Sequence, residues 1–194
     1  TKSGMVHQRR RKGQPTTPRD VPSVGCNLCG MSTPAGAADA ILDLHHKKRK
    51  KPVLTIIDYS KPSTDKRFYV VDIDRKKLIY NTYVSHGVNS GKKTATKFSN
   101  IVNSRKTSLG TFLTDTTYYG SNGYSLRLDG LTSGLNDKAR ERYIVVHGAK
   151  YANPSFIKKN GYLGRSWGCP ALPENLSREI IDTIKGGSVI YASA

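Results

Sequence analysis

A mainly β domain with a few short helices is the fold class the sequence predicts, and three observations predict it. From Pro52 onward the chain breaks into short runs rich in β-branched and aromatic residues, each bounded by Gly, Asn, Asp, Ser or Pro. Within this body only two stretches carry a helical pattern. The apolar residues gather after position 52, so the overall hydrophobic fraction of 36% understates the core available to the body. At 194 residues the chain accommodates one domain of ordinary size plus an appended tail.

Residues 1–51 read as a basic, flexible N-terminal tail. It holds Arg9-Arg10-Arg11-Lys12, a Pro/Thr-rich stretch and Cys26-Asn27-Leu28-Cys29, without apolar periodicity before residue 35. The good helix formers Ala37, Ala38, Ala40, Ile41, Leu42 and Leu44 predict a short helix near 35–46. The pair Cys26 and Cys29 could be half of a zinc site, but His45 and His46 are adjacent and lack the spacing of a finger, so no metal is expected. Lys47-Lys48-Arg49-Lys50-Lys51 reads first as a solvated, salt-sensitive patch and second as a phosphate or nucleic-acid dock.

Residues 52–194 form the predicted folded body. Its strands are Val53 to Tyr59, Phe68 to Ile73, Leu78 to Val84, Tyr124 to Leu128, Tyr143 to His147 and Ser188 to Ala192. Tyr124 to Leu128 alternates and suits a half-buried strand, whereas Tyr143 to Val146 is apolar without a break and suits one covered on both faces. Asn136 to Glu141 predicts a short helix of one or two turns. Ser177 to Lys185 predicts an amphipathic helix with Ile180, Ile181 and Ile184 on one face, capped by Asn175 or Ser177 and stopped by Gly186-Gly187. Turn-rich stretches run from Ser85 to Thr117 and from Ala149 to Ser166, and loops of that length in a compact domain are more often functional than idle.

The formal net charge is +18, of which residues 1–51 supply +8, eleven Lys and Arg against three Asp. A balance this basic points to an anionic partner: nucleic acid, an anionic membrane surface or an acidic cell-wall polymer. No apolar run approaches the length of about 18 residues that a membrane span needs, and the visible N-terminus carries no apolar stretch of signal-peptide type.

The chemistry centres on Gly164-Arg165-Ser166-Trp167-Gly168-Cys169-Pro170-Ala171 and on His147, which ends the apolar run beginning at Tyr143. A thiol attacks a carbonyl as thiolate and therefore needs a base or a positive environment, and His147 can supply both from a rigid strand end. Gly168, without a side chain, would let a substrate approach backbone N–H groups around Cys169 that could form an oxyanion hole. Taken singly, Cys169 is equally a small buried residue in a turn, and His147 a hydrogen-bonded strand end.

At these residues the chain resembles the bacterial L,D-transpeptidase catalytic domain, in its branch carrying Gly-Arg-Ser-Trp-Gly-Cys-Pro-Ala. The resemblance runs from about Val53 to Tyr191 and includes Asp58-Tyr59-Ser60-Lys61-Pro62-Ser63, Ser85-His86-Gly87-Val88-Asn89-Ser90-Gly91, Phe98-Ser99-Asn100, Ser108-Leu109-Gly110, Asn136-Asp137-Lys138-Ala139-Arg140 and Val146-His147-Gly148-Ala149. It implies a β-sandwich catalytic domain that needs no cofactor and acts on peptidoglycan stem peptides. Cys169 would attack the carbonyl of the L-centre third residue, release D-alanine through a thioester acyl-enzyme and pass the acyl group to an amine. His147 would be the base, oriented by the carbonyl of Gly148, and carbapenems would acylate the cysteine.

Where the wider family has a histidine two residues before the cysteine, this chain has Trp167, which would either wall the acyl pocket or pack in the core. Arg165, beside Ser166 in the same motif, would bind a substrate carboxylate or form a structural salt bridge. His86 is either a polar group of the cleft or a loop-stabilising residue, with the loop role preferred, and Tyr151 either lines the cleft or covers it. Two alternatives stand beside the acyltransferase: hydrolysis of the same bonds, as an L,D-carboxypeptidase or endopeptidase, and a non-catalytic wall-binding or nucleic-acid-binding module. The body lacks a nucleic-acid fold signature, which leaves nucleic acid the less favoured partner and an anionic wall polymer the more favoured. A substrate outside the cytoplasmic membrane implies a periplasmic or secreted, cell-envelope location.

Overall fold

The structure is a computed structural model and describes residues 50–194. The predicted helix near 35–46, the pair Cys26 and Cys29 and nearly all of the basic tail lie outside the described residues. The body contains eight strands: β1 (Val53–Asp58), β2 (Phe68–Asp72), β3 (Lys77–Thr82), β4 (Gly110–Gly120), β5 (Gly123–Gly130), β6 (Val145–Gly148), β7 (Ala171–Leu172) and β8 (Val189–Ser193). Two helices, α1 (Pro154–Asn160) and α2 (Glu174–Ile184), and a 3-10 turn at Lys150–Ala152 complete it.

All strands belong to one hydrogen-bonded sheet in the order β3-β2-β1-β8-β4-β5-β6-β7. Its opposite ends meet where Ser85, three residues beyond β3, donates its backbone N–H to Ala171 O of β7 at 2.9 Å. A sheet whose two edges touch has to fold over on itself, so its halves face each other as the layers of a sandwich. The core between them takes Ile57, Phe68 and Val70 from one half, Phe112, Leu126, Leu128 and Val146 from the other, and Ile180, Ile181 and Ile184 from α2. Each isoleucine buried there is worth roughly 1.5–3 kcal/mol of transfer from water.

Several boundaries differ from the sequence reading, each for a physical reason. β4 occupies the end of what reads as a loop: its register slips between Thr114 and Thr117, and that bulge breaks the alternation that marks a strand. The pair Ala171–Leu172 is too short to carry a pattern at all. Asn136 to Glu141 makes a chain of turns instead of a helix, because the buried Asn136 side chain accepts from Thr132 N (2.8 Å) and donates to Thr111 O (2.9 Å), pinning the segment to β4. Tyr143 does not enter its strand: its φ is +54° and its side chain is 82% exposed, so β6 begins at Val145.

Both helices are set by their ends. α1 starts with Pro154 at its first position and stops at Gly161, whose φ is +78°, but it buries no residue and so has no apolar stripe to betray it. α2 starts three residues before Ser177, behind Pro173. Neither Asn175 nor Ser177 caps it; the Asn153 side chain accepts the Glu174 N–H at 3.0 Å from across the loop. Ser177 is buried against Gly148, where a Cβ would fall 2.4 Å from the Ser177 Oγ, so the glycine after His147 is the point where α2 seats on β6.

Candidate active site

β6 and β7 run parallel, with His147 opposite Ala171. Cys169 lies two residues before Ala171, so the turn from Gly164 delivers the thiol to the flank of the strand that carries the imidazole. Both residues line one cleft of about 920 Å³, together with Tyr151, Arg165, Ser166 and Trp167.

The His147 ring is buried, at 3% exposure, and its Nδ1 sits 2.9 Å from Gly148 O. A carbonyl can only accept, so Nδ1 carries the hydrogen and Nε2 keeps a free lone pair. Burial pushes the imidazole below its ordinary pKa, partly offset by that carbonyl, and keeps it neutral. Cys169 is half-buried against the core, and its Sγ donates to Tyr143 O at 3.5 Å. Burial raises the thiol, while the Val145 backbone N–H and the Arg142 guanidinium pull it down. At rest the pair is a neutral thiol and a neutral base.

The turn is braced by its own polar groups. Ser166 Oγ donates to Cys169 O at 2.6 Å and accepts the Gly168 N–H at 3.1 Å, which spends both the serine hydroxyl and the Gly168 amide on the turn. Neither the Ser166 hydroxyl nor the Gly168 N–H is therefore free to donate into the cleft. Gly168 is required for another reason: its φ is +123°, and a Cβ would meet Lys106 O at 2.8 Å. The Cys169 N–H, by contrast, donates to no acceptor among the described residues. Trp167 is 70% exposed and lines the cleft, with the Arg105 guanidinium 4.4 Å from its ring centroid, so it does not pack in the core.

Arg165 forms no salt bridge among the described residues. Its guanidinium reaches only Gly91 O at 3.4 Å and lies 5.8 Å from the Tyr162 ring, leaving a cation facing the cleft without a carboxylate. Tyr151 lines the cleft, and burial holds its phenol protonated, with the pKa pushed up to about 12. His86 does not join them. It is 1% exposed, takes a hydrogen from Arg67 Nη2 at Nδ1 (2.7 Å) and donates from Nε2 to Gly91 O (3.1 Å). Burial first, then the Arg67 charge, lowers its pKa to about 4. The Ser166 N–H donates to His86 O at 3.0 Å, so this residue supports the cysteine turn from behind.

Two residues of the site escape sequence reasoning. Arg142 sits between the loop 99–108 and the Gly168 turn, donating to Ser99 O and Lys106 O at 2.6 Å each, to Ser104 Oγ at 3.2 Å and to Ser108 Oγ. Arg105 stacks on Trp167. No motif marks either one, because their partners are distant in sequence. Among non-glycine residues, left-handed backbone occurs at Lys76, Asn103, Arg105 and Tyr143, and the last three all line the cleft, a concentration of strain typical of functional sites.

The comparisons with known proteins came out as follows. The family model described as the L,D-transpeptidase catalytic domain matches residues 32–193. No curated protein sequence matches the chain significantly. Among solved structures, similarity extends to an L,D-transpeptidase from Mycobacterium smegmatis, at 19% identity over 74% of this chain and 59% of that one, with a TM-score of 0.45. It extends also to the helical cell shape determining protein Pgp2 from Campylobacter jejuni, at 15% identity over 80% of this chain and 53% of that one, TM-score 0.47. An L,D-transpeptidase from Stackebrandtia nassauensis aligns at 15% identity over 84% of this chain and 68% of that one, TM-score 0.44. The chain thus spans somewhat more than half the length of the first two. The family model covers most of the chain, and on that match the protein belongs to the L,D-transpeptidase catalytic domain family.

Proposed function

We propose that the protein is a cysteine acyltransferase acting on peptidoglycan stem peptides outside the cytoplasmic membrane. The observation that carries the reading is the pairing, in one cleft, of Cys169 with an imidazole whose Nδ1–H is fixed on Gly148 O and whose Nε2 lone pair is therefore free. In the proposed step the thiol proton leaves its hydrogen bond to Tyr143 O and passes to His147 Nε2 as sulfur attacks the carbonyl of the third stem residue. The developing oxyanion is met by the Cys169 N–H, which has no acceptor among the described residues. Collapse breaks the C–N bond, His147 returns the proton to the departing D-alanine amine, and a thioester remains. An acceptor amine then attacks the thioester, giving the cross-link and restoring the thiol. Arg165 supplies a bidentate site for a substrate carboxylate, and Trp167 with Tyr151 walls the acyl chain.

Incubation with tetrapeptide-bearing wall fragments is expected to release D-alanine, and a carbapenem to leave one acyl adduct on Cys169 detectable by peptide mass spectrometry. Absence of both rejects the reading. Cross-linked dimers among the products identify transfer to an amine, and trimmed tripeptides identify hydrolysis.

A further inference from the structure

We propose that Arg142 is a positioning residue for the nucleophile: it packs between the loop 99–108 and the Gly168 turn and holds a fixed positive charge, paired with no carboxylate among the described residues, close to Cys169. The inference rests on the reading of Cys169 as nucleophile. Its basis is geometric. The guanidinium is anchored on two carbonyls, Ser99 O and Lys106 O, and two hydroxyls, Ser104 Oγ and Ser108 Oγ. Its Nη2 lies 3.3 Å from the place where a Cβ on Gly168 would stand, one residue before the cysteine. Arginine forms no salt bridge at this position among the described residues, so four neutral acceptors orient the charge without cancelling it.

The surroundings leave this charge the part to play. Tyr59 and Tyr151, close enough to feel the Cys169 charge, are neutral phenols whose ionisation is pushed up by burial, and His147 lines the same cleft as a neutral imidazole. Arg105, Arg165 and Glu141 line the same cleft, but the Arg105 guanidinium is held by stacking on Trp167 and that of Arg165 by one long hydrogen bond to Gly91 O and stacking on Tyr162. Arg142 is fixed on four acceptors. The chain that follows it serves the same sulfur: Tyr143 O accepts the S–H, and the Val145 N–H favours the thiolate. A stationary guanidinium lowers the cost of S⁻ at the moment the proton moves to His147, when no cation yet exists on the imidazole.

The test is the pH dependence of Cys169 alkylation by iodoacetamide, followed by peptide mass spectrometry and independent of any wall substrate. In Arg142→Met the alkylation rate at neutral pH is expected to fall about tenfold, the factor that corresponds to one pKa unit, and to rejoin the wild-type rate at high pH. Arg142→Lys, which keeps the charge, is expected to recover most of the neutral-pH rate. A role confined to packing would leave the profile where it is, or lower the rate equally at every pH, and either result overturns the proposal. Should Arg142→Met fail to fold, the double variant Ser104→Ala/Ser108→Ala loosens the guanidinium while leaving its charge and both carbonyl anchors. It is expected to slow neutral-pH alkylation about threefold with convergence at high pH, and an unchanged profile there overturns the proposal. D-alanine release by the wild-type protein is read separately, so failure of the acyltransferase reading and failure of the Arg142 proposal give different results.

Discussion

At the scale of single residues, His147 is poised by two opposing influences: burial depresses its proton affinity, and the Gly148 carbonyl restores part of it. A base whose pKa is lowered remains deprotonated to a more acidic pH, so adduct formation by a carbapenem should persist below the ordinary histidine range and fall only as pH drops through the depressed value. His147→Ala removes the base. The rate of adduct formation at neutral pH is expected to fall about 10²–10⁴-fold, with the deficit shrinking toward alkaline pH as the thiol ionises unaided. A stopped-flow pH series on both proteins measures it, and a deficit that stays constant across pH would mean His147 does not take the proton. The presence of Cys169 and His147 in one cleft was readable from sequence because both lie in short local patterns, a Gly-Cys-Pro turn and the end of an apolar run. Arg142 was not, since what makes it special is four acceptors between 34 and 43 residues away.

At the scale of elements, the loop behind the cysteine turn depends on a buried cation that forms no salt bridge among the described residues. Arg67 is fully buried, gives Nε and Nη2 to Val84 O and Nη1 to Lys61 O, and stacks on Tyr59 at 5.0 Å; burial lowers its own pKa to about 10. His86 completes this set only as a neutral ring, because protonation would place two cations in contact. The sign follows: between the ordinary value of 6.5 and the depressed value of about 4 the unfolded chain binds a proton that the folded one refuses. Stability present above that window is lost as pH falls through it, on the order of 3 kcal/mol from His86. His147 acts in the same direction. Thermal unfolding midpoints measured across this range should decline toward acid, and His86→Gln, which can accept and donate without charging, should flatten the decline; a parallel curve would remove His86 as its source. Runs of β-branched and aromatic residues bounded by turn formers were legible: β1, β2, β3, β5 and β8 fall where those runs lie, as does the isoleucine face of α2. The bulged β4, the two-residue β7 and the helix α1 without a buried face were not, because each lacks the periodic burial on which such reading depends.

At the scale of the molecule, β8 decides whether the sheet is whole. It comes last in chain order yet lies in the middle of the sheet, parallel to β1 on one side and antiparallel to β4 on the other. Without it the strands separate into β3-β2-β1 and β4-β5-β6-β7, joined at their far edges by the bridges of Ser85 with Ala171 and of Gly87 with Ser166. A chain ending at Gly187 is expected to lose cooperative thermal unfolding and the slow-exchanging amides of β1 and β4, both measurable on the purified product; a sharp transition near the wild-type midpoint would show that the halves hold together on their own.

This placement also orders events during synthesis. The cysteine and the histidine leave the ribosome before β8 does, but the cleft that unites them is built on strands that β8 must first bridge. A nascent or prematurely terminated chain therefore carries Cys169 and His147 without the framework that brings them to one cleft, until β8 has been threaded into the centre of the sheet.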